Sequence, residues 1–134
     1  MRLFALLVAF LMTAPVLAKE SGFKVAKVDA VAQWLEAKQA FVFDANSDDV
    51  RMKQGIVPGA TVLASYDKYD VAKVLPADKN AKLVFYCANT QCTASHDAAK
   101  LAMTSGYKEV YVMSEGIAGW KKAGKTAQKY DKKS

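Results

Sequence analysis

The sequence predicts an α/β fold: a doubly wound, mostly parallel sheet of about five strands flanked by helices on both faces. Short apolar runs of strand type alternate with segments of helical periodicity along most of the chain. A loop with both cysteines follows the most continuous of these runs, as expected where open α/β sheets bind ligands. The predicted strands are residues 41–44, 61–63, 82–86 and 110–112.

The helices of the first half are predicted from spacing and capping residues. Apolar side chains recur at helical intervals over residues 28–38, and Asp29 is expected to cap the start of this helix. After the first strand, a polar turn at residues 46–49 opens a short helix through Met52.

The second half repeats the alternation. Residues 69–75 allow a helical turn or two before Pro76 ends them. The longest helix is expected over residues 93–105, with Gly106 just after its end, and residues 117–123 form a last short helix. Small side chains should let one face of the longest helix lie close to the sheet: Ala94, Ala98, Leu101, Ala102 and Ser105.

The first eighteen residues have the layout of a secretory signal peptide. Arg2 supplies a positive start, residues 3–12 are apolar, and small side chains lead to Ala18, after which cleavage is expected. The alternative is a membrane anchor, but the apolar run is short for a membrane span. The mature protein should therefore begin at Lys19 and work in the periplasm, or as a secreted protein, without a stable membrane anchor.

The remaining length suits one domain, residues 19–124, followed by a basic, flexible tail, residues 125–134. The formal net charge of the 134 residues is +6. Nucleic acid is not expected as a partner, because the predicted signal takes the protein out of the cytoplasm. The basic excess near the end comes from Lys121, Lys122, Lys125, Lys129, Lys132 and Lys133, against Asp131 alone.

The stretch from Tyr86 to Ser95 contains the candidate reactive residues of the chain. It contains the two cysteines, Cys87 and Cys92, and leads from a strand into a helix. Loop amides and the positive amino end of the helix favour a thiolate at such a place. His96 would make a third metal ligand, but a closed zinc site takes four, so no metal and no cofactor is predicted, and a solvent-facing His96 is expected.

Four stretches, in order between residues 41 and 124, resemble the rhodanese homology domain. The first is a strand that ends in aspartate, and the second resembles the family's Gly-His-Ile-Pro-Gly-Ala signature. The third is the strand that delivers the active cysteine, and the last resembles a closing segment that commonly ends in Gly-Gly-Ile-x-x-Trp. These stretches are Val42–Asp44, Gly55–Ala60, Val84–Cys87 and Gly106–Trp120.

The resemblance implies a sulfurtransferase. Cys87 would take sulfane sulfur from a small sulfur-containing anion, hold it as a persulfide and pass it to a thiol or another nucleophile. Inward-pointing amides of the loop would form a nest for the negative charge. The loop residues that this implies are Ala88, Asn89, Thr90, Gln91 and Thr93.

The chain departs from the family pattern at several positions. The loop is often Cys-x-x-Gly-x-Arg-Ser, and here Thr90 takes the glycine position and Cys92 the arginine position. The resemblance implies thiosulfate or a polysulfide as the sulfur donor, and the loss of an arginine that would help to bind an anionic donor counts against thiosulfate. Asn46 and Ile56 stand where many members have arginine and histidine. The related phosphatases have arginine at the position of Thr93, so phosphatase activity is not expected.

Three roles remain open for Cys92. It could resolve a persulfide on Cys87 and leave a disulfide, it could form a resting structural disulfide, or it could be a buried inert thiol. The function is accordingly predicted to be sulfur transfer, with a thiol–disulfide or persulfide reductase and an inactive binding module as alternatives. Asp44 could either contact the loop or have a structural role.

Overall fold

A computed structural model describes residues 22–132, so the predicted signal peptide, residues 1–18, lies outside the described residues. The predicted architecture is confirmed: all strands of one five-stranded sheet run parallel, in the order β1-β5-β4-β2-β3. Among the described residues, no helix is both long and apolar enough to cross a membrane. The strands are β1 (Lys24–Val25), β2 (Phe41–Asp44), β3 (Thr61–Val62), β4 (Lys82–Tyr86) and β5 (Glu109–Val112).

The helices agree with the predicted segments to within a few residues at their ends. They are α1 (Val28–Glu36), α2 (Asp48–Gln54), α3 (Val71–Val74), α4 (Ala94–Thr104) and α5 (Gly116–Lys122). The prediction that Asp29 caps α1 was wrong. The capping residue is Lys27, and the free amide of Val28 donates instead to Glu115 Oε2 at 3.1 Å. A carboxylate that is distant in sequence thus accepts the kind of hydrogen bond that a neighbouring carboxylate was expected to accept.

Helices cover both faces of the sheet, and β4 shows how its side chains alternate between them. Leu83 and Phe85 pack in one cluster with α4, whereas Val84 and Tyr86 pack in the other with α1 and α5. All four are buried, as expected for a central parallel strand. Helix α4 is rotated slightly from the predicted face, since Ala94, Leu101 and Ser105 are only partly buried. Its buried residues are Ser95, Ala98, Ala99 and Ala102.

The described part of the basic tail lies against the domain, which differs from the solvated end expected from sequence. Ile56 and Gln128 exchange two backbone hydrogen bonds of 2.8 Å each. The Trp120 indole donates to the carbonyl of Thr126 at 3.0 Å, and the Tyr130 hydroxyl donates to Asp48 at 3.0 Å. Ile56 and Asp48 lie far from the tail in sequence, so local charge did not reveal their contacts with it.

The sheet reverses its winding between β2 and β4. From β2 the chain continues outward to β3, whereas from β4 it continues to β5 on the other side. Asp44 pairs with Tyr86, so the two strands end at the same level. Ligands of open α/β sheets bind in the crevice at such a switch point. The loop after β4 therefore stands where the fold offers a site.

Candidate active site

Cys87 and Cys92 form a disulfide across the loop that follows β4, with their Cα atoms 6.2 Å apart. Cys87 directly follows the strand and is only 2% exposed. Cys92 lies just before α4 and is partly exposed. Of the three roles open for Cys92, the inert free thiol does not describe this state.

Ser95 contacts the sulfur of Cys87, and sequence reasoning missed it. Its Oγ lies 3.4 Å from Cys87 Sγ, and the side chain is buried in the first turn of α4. A disulfide sulfur has no proton, so the serine hydroxyl is the donor. The same hydroxyl can donate to a thiolate after reduction. The available signal was a serine on the predicted helix, eight residues after the cysteine.

Asn89 organises the middle of the loop. Its Oδ1 accepts a hydrogen bond from the amide of Gln91 at 3.0 Å, and its carbonyl accepts one from the amide of Cys92 at 3.2 Å. Two amides of the predicted nest are therefore already occupied by Asn89. The side chains of Asn89, Thr90, Gln91 and Thr93 are exposed, and Ala88 is partly buried.

Helix α5 holds the start of the loop from the other side. The amide of Ile117 donates to the carbonyl of Cys87 at 2.9 Å, and that of Ala118 donates to the carbonyl of Ala88 at 3.0 Å. Gly116 has a φ of +64°, and a Cβ there would lie 2.6 Å from the Cys87 oxygen. Only glycine allows α5 to approach the loop so closely.

A buried hydrogen-bond network closes the end of β2. Asp44 accepts from the Tyr86 hydroxyl at 2.5 Å, from Arg51 Nε at 3.0 Å and from the amide of Asn46 at 2.8 Å. Burial, together with the negative charge of Asp44, raises the pKa of Tyr86 far above its usual range. Asp44 makes these contacts within the scaffold, which fits the structural role left open for it.

Arg51 completes this network and was not singled out in the sequence. It is 4% exposed, and its Nη2 donates to the carbonyls of Asp44 and Leu63 at 3.2 and 2.9 Å. These bonds join α2 to the ends of two strands. A basic residue on a short polar helix is ordinarily expected at the surface. The burial of Arg51 could not be predicted from the sequence because these partners lie at the ends of the strands.

His96 packs on the ring of Phe23, with ring centroids 4.8 Å apart, and is partly buried rather than solvent-facing. Across residues 22–132, no group of three or more His, Cys, Asp or Glu side chains is arranged to hold a metal ion.

A cavity of about 460 Å³ opens beside the disulfide, at the carboxyl ends of β2, β3 and β4. Cys92 and Ala88 line it from the loop, and Asn46 lines it from the end of β2. The cavity therefore lies at the switch point of the sheet, where the topology places a binding site.

Solved structures with the same fold are similar to this chain at low sequence identity. A human single-domain sulfurtransferase, TSTD1, is 19% identical and has a TM-score of 0.59, over 75% of this chain and 97% of that one. A rhodanese-like domain protein from Staphylococcus aureus is 19% identical with a TM-score of 0.60, over 84% of this chain and 100% of that one. A protein of unknown function from Rhodopseudomonas palustris, described as a possible tyrosine phosphatase, is 22% identical with a TM-score of 0.63, over 79% and 85%.

At these identities the likeness shows the fold alone. A comparison with curated proteins finds no match. The model of the rhodanese-like domain family matches residues 27–123, which is most of the chain and includes both cysteines. The chain therefore belongs to the rhodanese-like domain family.

Proposed function

We propose that this protein is a sulfurtransferase that carries sulfane sulfur as a persulfide on Cys87 and passes it to a thiol or another nucleophile. The observation that carries the proposal is the place of Cys87 in a rhodanese-like domain, directly after the central strand at the switch point of the sheet. The similarity in fold to a human single-domain sulfurtransferase supports it.

The reacting form is the dithiol, in which the Cys87–Cys92 bond has been reduced. The Cys87 thiolate attacks the terminal sulfane sulfur of a donor persulfide, a Cys87–sulfur bond forms, and the donor leaves as a thiolate. An acceptor thiolate then attacks the outer sulfur and restores the Cys87 thiolate. Charge is conserved in both steps. The hydroxyl of Ser95, 3.4 Å from Cys87 Sγ, is placed to stabilise the anionic states.

A second function, persulfide reduction, is favoured by the disulfide itself. In that reaction the Cys92 thiolate attacks Cys87 Sγ of the persulfide, the Cys87–Cys92 bond forms, and hydrosulfide leaves. The 6.2 Å separation of the two Cα atoms is within the ordinary range for a disulfide, so Cys92 can reach Cys87 in the loop's present conformation. An external thiol must then reduce the disulfide before the next cycle.

The test is transfer of sulfur from polysulfide to a small thiol by the reduced protein and by two single variants. Sulfur transfer predicts that Cys87→Ser has only background activity and that Cys92→Ser retains activity. Persulfide reduction predicts that sulfide release, in place of transfer, depends on both cysteines. Background rates for the wild type with every sulfur donor would overturn both proposals and leave the inactive binding module.

We also propose that the protein acts outside the cytoplasm, in the periplasm or after secretion. The signal-like pattern of residues 1–18 supports this, and a disulfide is compatible with an oxidising compartment. The mass of the protein recovered from an exporting host tests it. A chain that begins at Lys19 is expected, and an intact amino terminus on protein confined to the cytoplasm would contradict it.

A further inference from the structure

The two sulfurs of the disulfide differ in how they can be reached. Cys92 lines the cavity of about 460 Å³, whereas Cys87 does not line it and is 2% exposed. A nucleophile must contact the sulfur that it attacks, so access decides which half of a disulfide reacts. A thiol that enters this cavity meets Cys92 first.

The described walls of the cavity carry no charged side chain. Cys92 and Ala88 line it on the loop side, and Ser47, Ser65 and Tyr66 are among the residues on the other sides. None of the described residues that line it is Lys, Arg, His, Asp or Glu. A charged group of the ligand other than its reacting sulfur would lose hydration there without gaining an opposite charge, which is costly. The arginine that family members often have at the position of Cys92 is missing.

Asn46 provides an unused donor in the same wall. The residue is 8% exposed, and its Nδ2 is buried with no hydrogen-bond partner among the described residues. Its backbone amide is held by Asp44, so the position of the residue is fixed by the β2 network. Because Asn46 also lines the cavity, an acceptor on a ligand that reaches Nδ2 would give this donor the partner that it lacks.

We propose that this cavity is the thiol-binding site, that it takes an organic thiol with a hydrogen-bond acceptor and no charge besides that of its thiolate, and that this thiolate attacks Cys92 Sγ. This rests on the proposed function, because it describes how the oxidised loop returns to the reacting dithiol. A new bond forms between the thiol sulfur and Cys92 Sγ, the Cys87–Cys92 bond breaks, and Cys87 leaves as a thiolate beside Ser95. A second thiolate attacks the mixed disulfide, so two thiols are oxidised to one disulfide while the protein gains two electrons.

The site of attack can be read on the unmodified protein. Oxidised protein is mixed with 2-mercaptoethanol and quenched rapidly with iodoacetamide, and the fragment Leu83–Lys100, which contains both cysteines, is sequenced by mass spectrometry. The proposal expects the mercaptoethanol adduct on Cys92 and the alkyl group on Cys87. The reverse assignment would overturn it.

A pair of variants tests the route of entry. Ala64 is exposed and lines the cavity, whereas Ala72 is exposed on α3 and does not line it. Ala64→Trp should slow reduction by 2-mercaptoethanol about tenfold or more, whereas Ala72→Trp should change it by less than about twofold, since the rate depends on access. Equal slowing by both variants, or none by Ala64→Trp, would contradict entry through the cavity.

Charge selectivity gives the last readout. At equal thiolate concentration, 2-mercaptoethanol should reduce the disulfide faster than 2-mercaptoethanesulfonate, which carries a second negative charge. An equal or faster reaction with the sulfonate would contradict the proposed selectivity for a thiol without a further charge. No sulfur donor is present in any of these reactions. Failure of sulfur transfer would therefore leave these results unchanged, and failure here would leave the persulfide test of Cys87 unchanged.

Discussion

The two central strands end side by side in very different surroundings. At the end of β2, the fully buried Asp44 has hydrogen-bond partners on both carboxylate oxygens, and Arg51 supplies one of them. At the end of β4, the buried Cys87 is bonded to a partly exposed Cys92 through a loop whose middle residues face solvent. The comparison shows a rigid, hydrogen-bonded β2 end and a β4 end whose loop faces solvent, where the proposed chemistry would take place.

Tyr86 joins the two ends. It is the last residue of β4, and its hydroxyl donates to Asp44 while accepting from the amide of Val57 at 3.0 Å. The residue directly before the cysteine is thus fixed by the network of the neighbouring strand. In the proposed reaction, this rigid support would hold Cys87 in place while the loop changes between its disulfide and thiol states.

The largest effect on stability is expected from breaking the β2 network. Arg51→Met keeps a long side chain but leaves the buried Asp44 without its cation, which should cost about 3–5 kcal/mol. Urea unfolding measures the change. Lys53→Met, an exposed position on the same helix, is the control and should cost little. Equal stabilities of the two variants would contradict the assigned role of the network.

A smaller loss is expected where α5 meets the active loop. Gly116→Ala brings a Cβ into the carbonyl of Cys87 and also strains a backbone with positive φ, so about 2–4 kcal/mol should be lost. Gly124→Ala is a matched control, because Gly124 has a φ of +79° but no atom within 4 Å of its added Cβ. Urea unfolding should show the greater loss for Gly116→Ala. If the losses are equal, the close approach to the loop is unimportant.

Removing the hydroxyl beside Cys87 should alter reactivity more than stability. Ser95→Ala, placed in the Cys92→Ser background, should slow alkylation of Cys87 by iodoacetamide at neutral pH about fivefold, the equivalent of one hydrogen bond of about 1 kcal/mol. Ser105→Ala, further along the same helix, is the control and should leave the rate unchanged. An unchanged rate in Ser95→Ala would show that the contact does not stabilise the thiolate.

The smallest effect is expected in the tail, where Tyr130 and Lys132 contact Asp48 at the start of α2. Hydrogen bonds from Lys132 and then from Tyr130 lower the pKa of Asp48 below its ordinary 3.8. Because the pKa of Asp48 is lower in the folded state, its ionised carboxylate stabilises the fold at pH values above the ordinary pKa. That stabilisation is lost as the pH falls through the lowered pKa. NMR signals of Tyr130 should therefore be unchanged from neutral pH to the ordinary pKa of Asp48 and should shift in stronger acid. Asp48→Asn is the control and should abolish the acid-dependent shift, and a shift that survives in this variant would contradict the assignment.

The sequence predicts the scaffold well because local patterns decide it. The apolar run at β4, the small residues of α4 and the glycine after that helix each indicate their element without knowledge of the partners. Strand β1 was missed because Lys24 and Val25 are exposed and become a strand only by pairing with β5. The cap of α1 was assigned wrongly because its real partner, Glu115, lies 87 residues away.

The candidate site was predicted less completely for the same reason. The cysteine loop stands out by composition, and the family resemblance supplies a role for Cys87. The contact with Ser95, the burial of Arg51 and the two loop amides held by Asn89 depend on how elements pack. Whether Cys92 is bonded was open in the sequence because spacing alone allows three states.

The central claim is that Cys87 receives the sulfur and Cys92 can remove it. The most direct measurement locates the added sulfur after reduced protein has reacted with polysulfide, by fragment mass analysis of Leu83–Lys100. In Cys92→Ser, one extra sulfur atom is predicted on Cys87. In the wild type, the same persulfide is predicted if Cys87 carries the sulfur for transfer, and the Cys87–Cys92 disulfide with one equivalent of free sulfide is predicted if Cys92 resolves it. An unmodified Cys87 in both proteins would contradict the account.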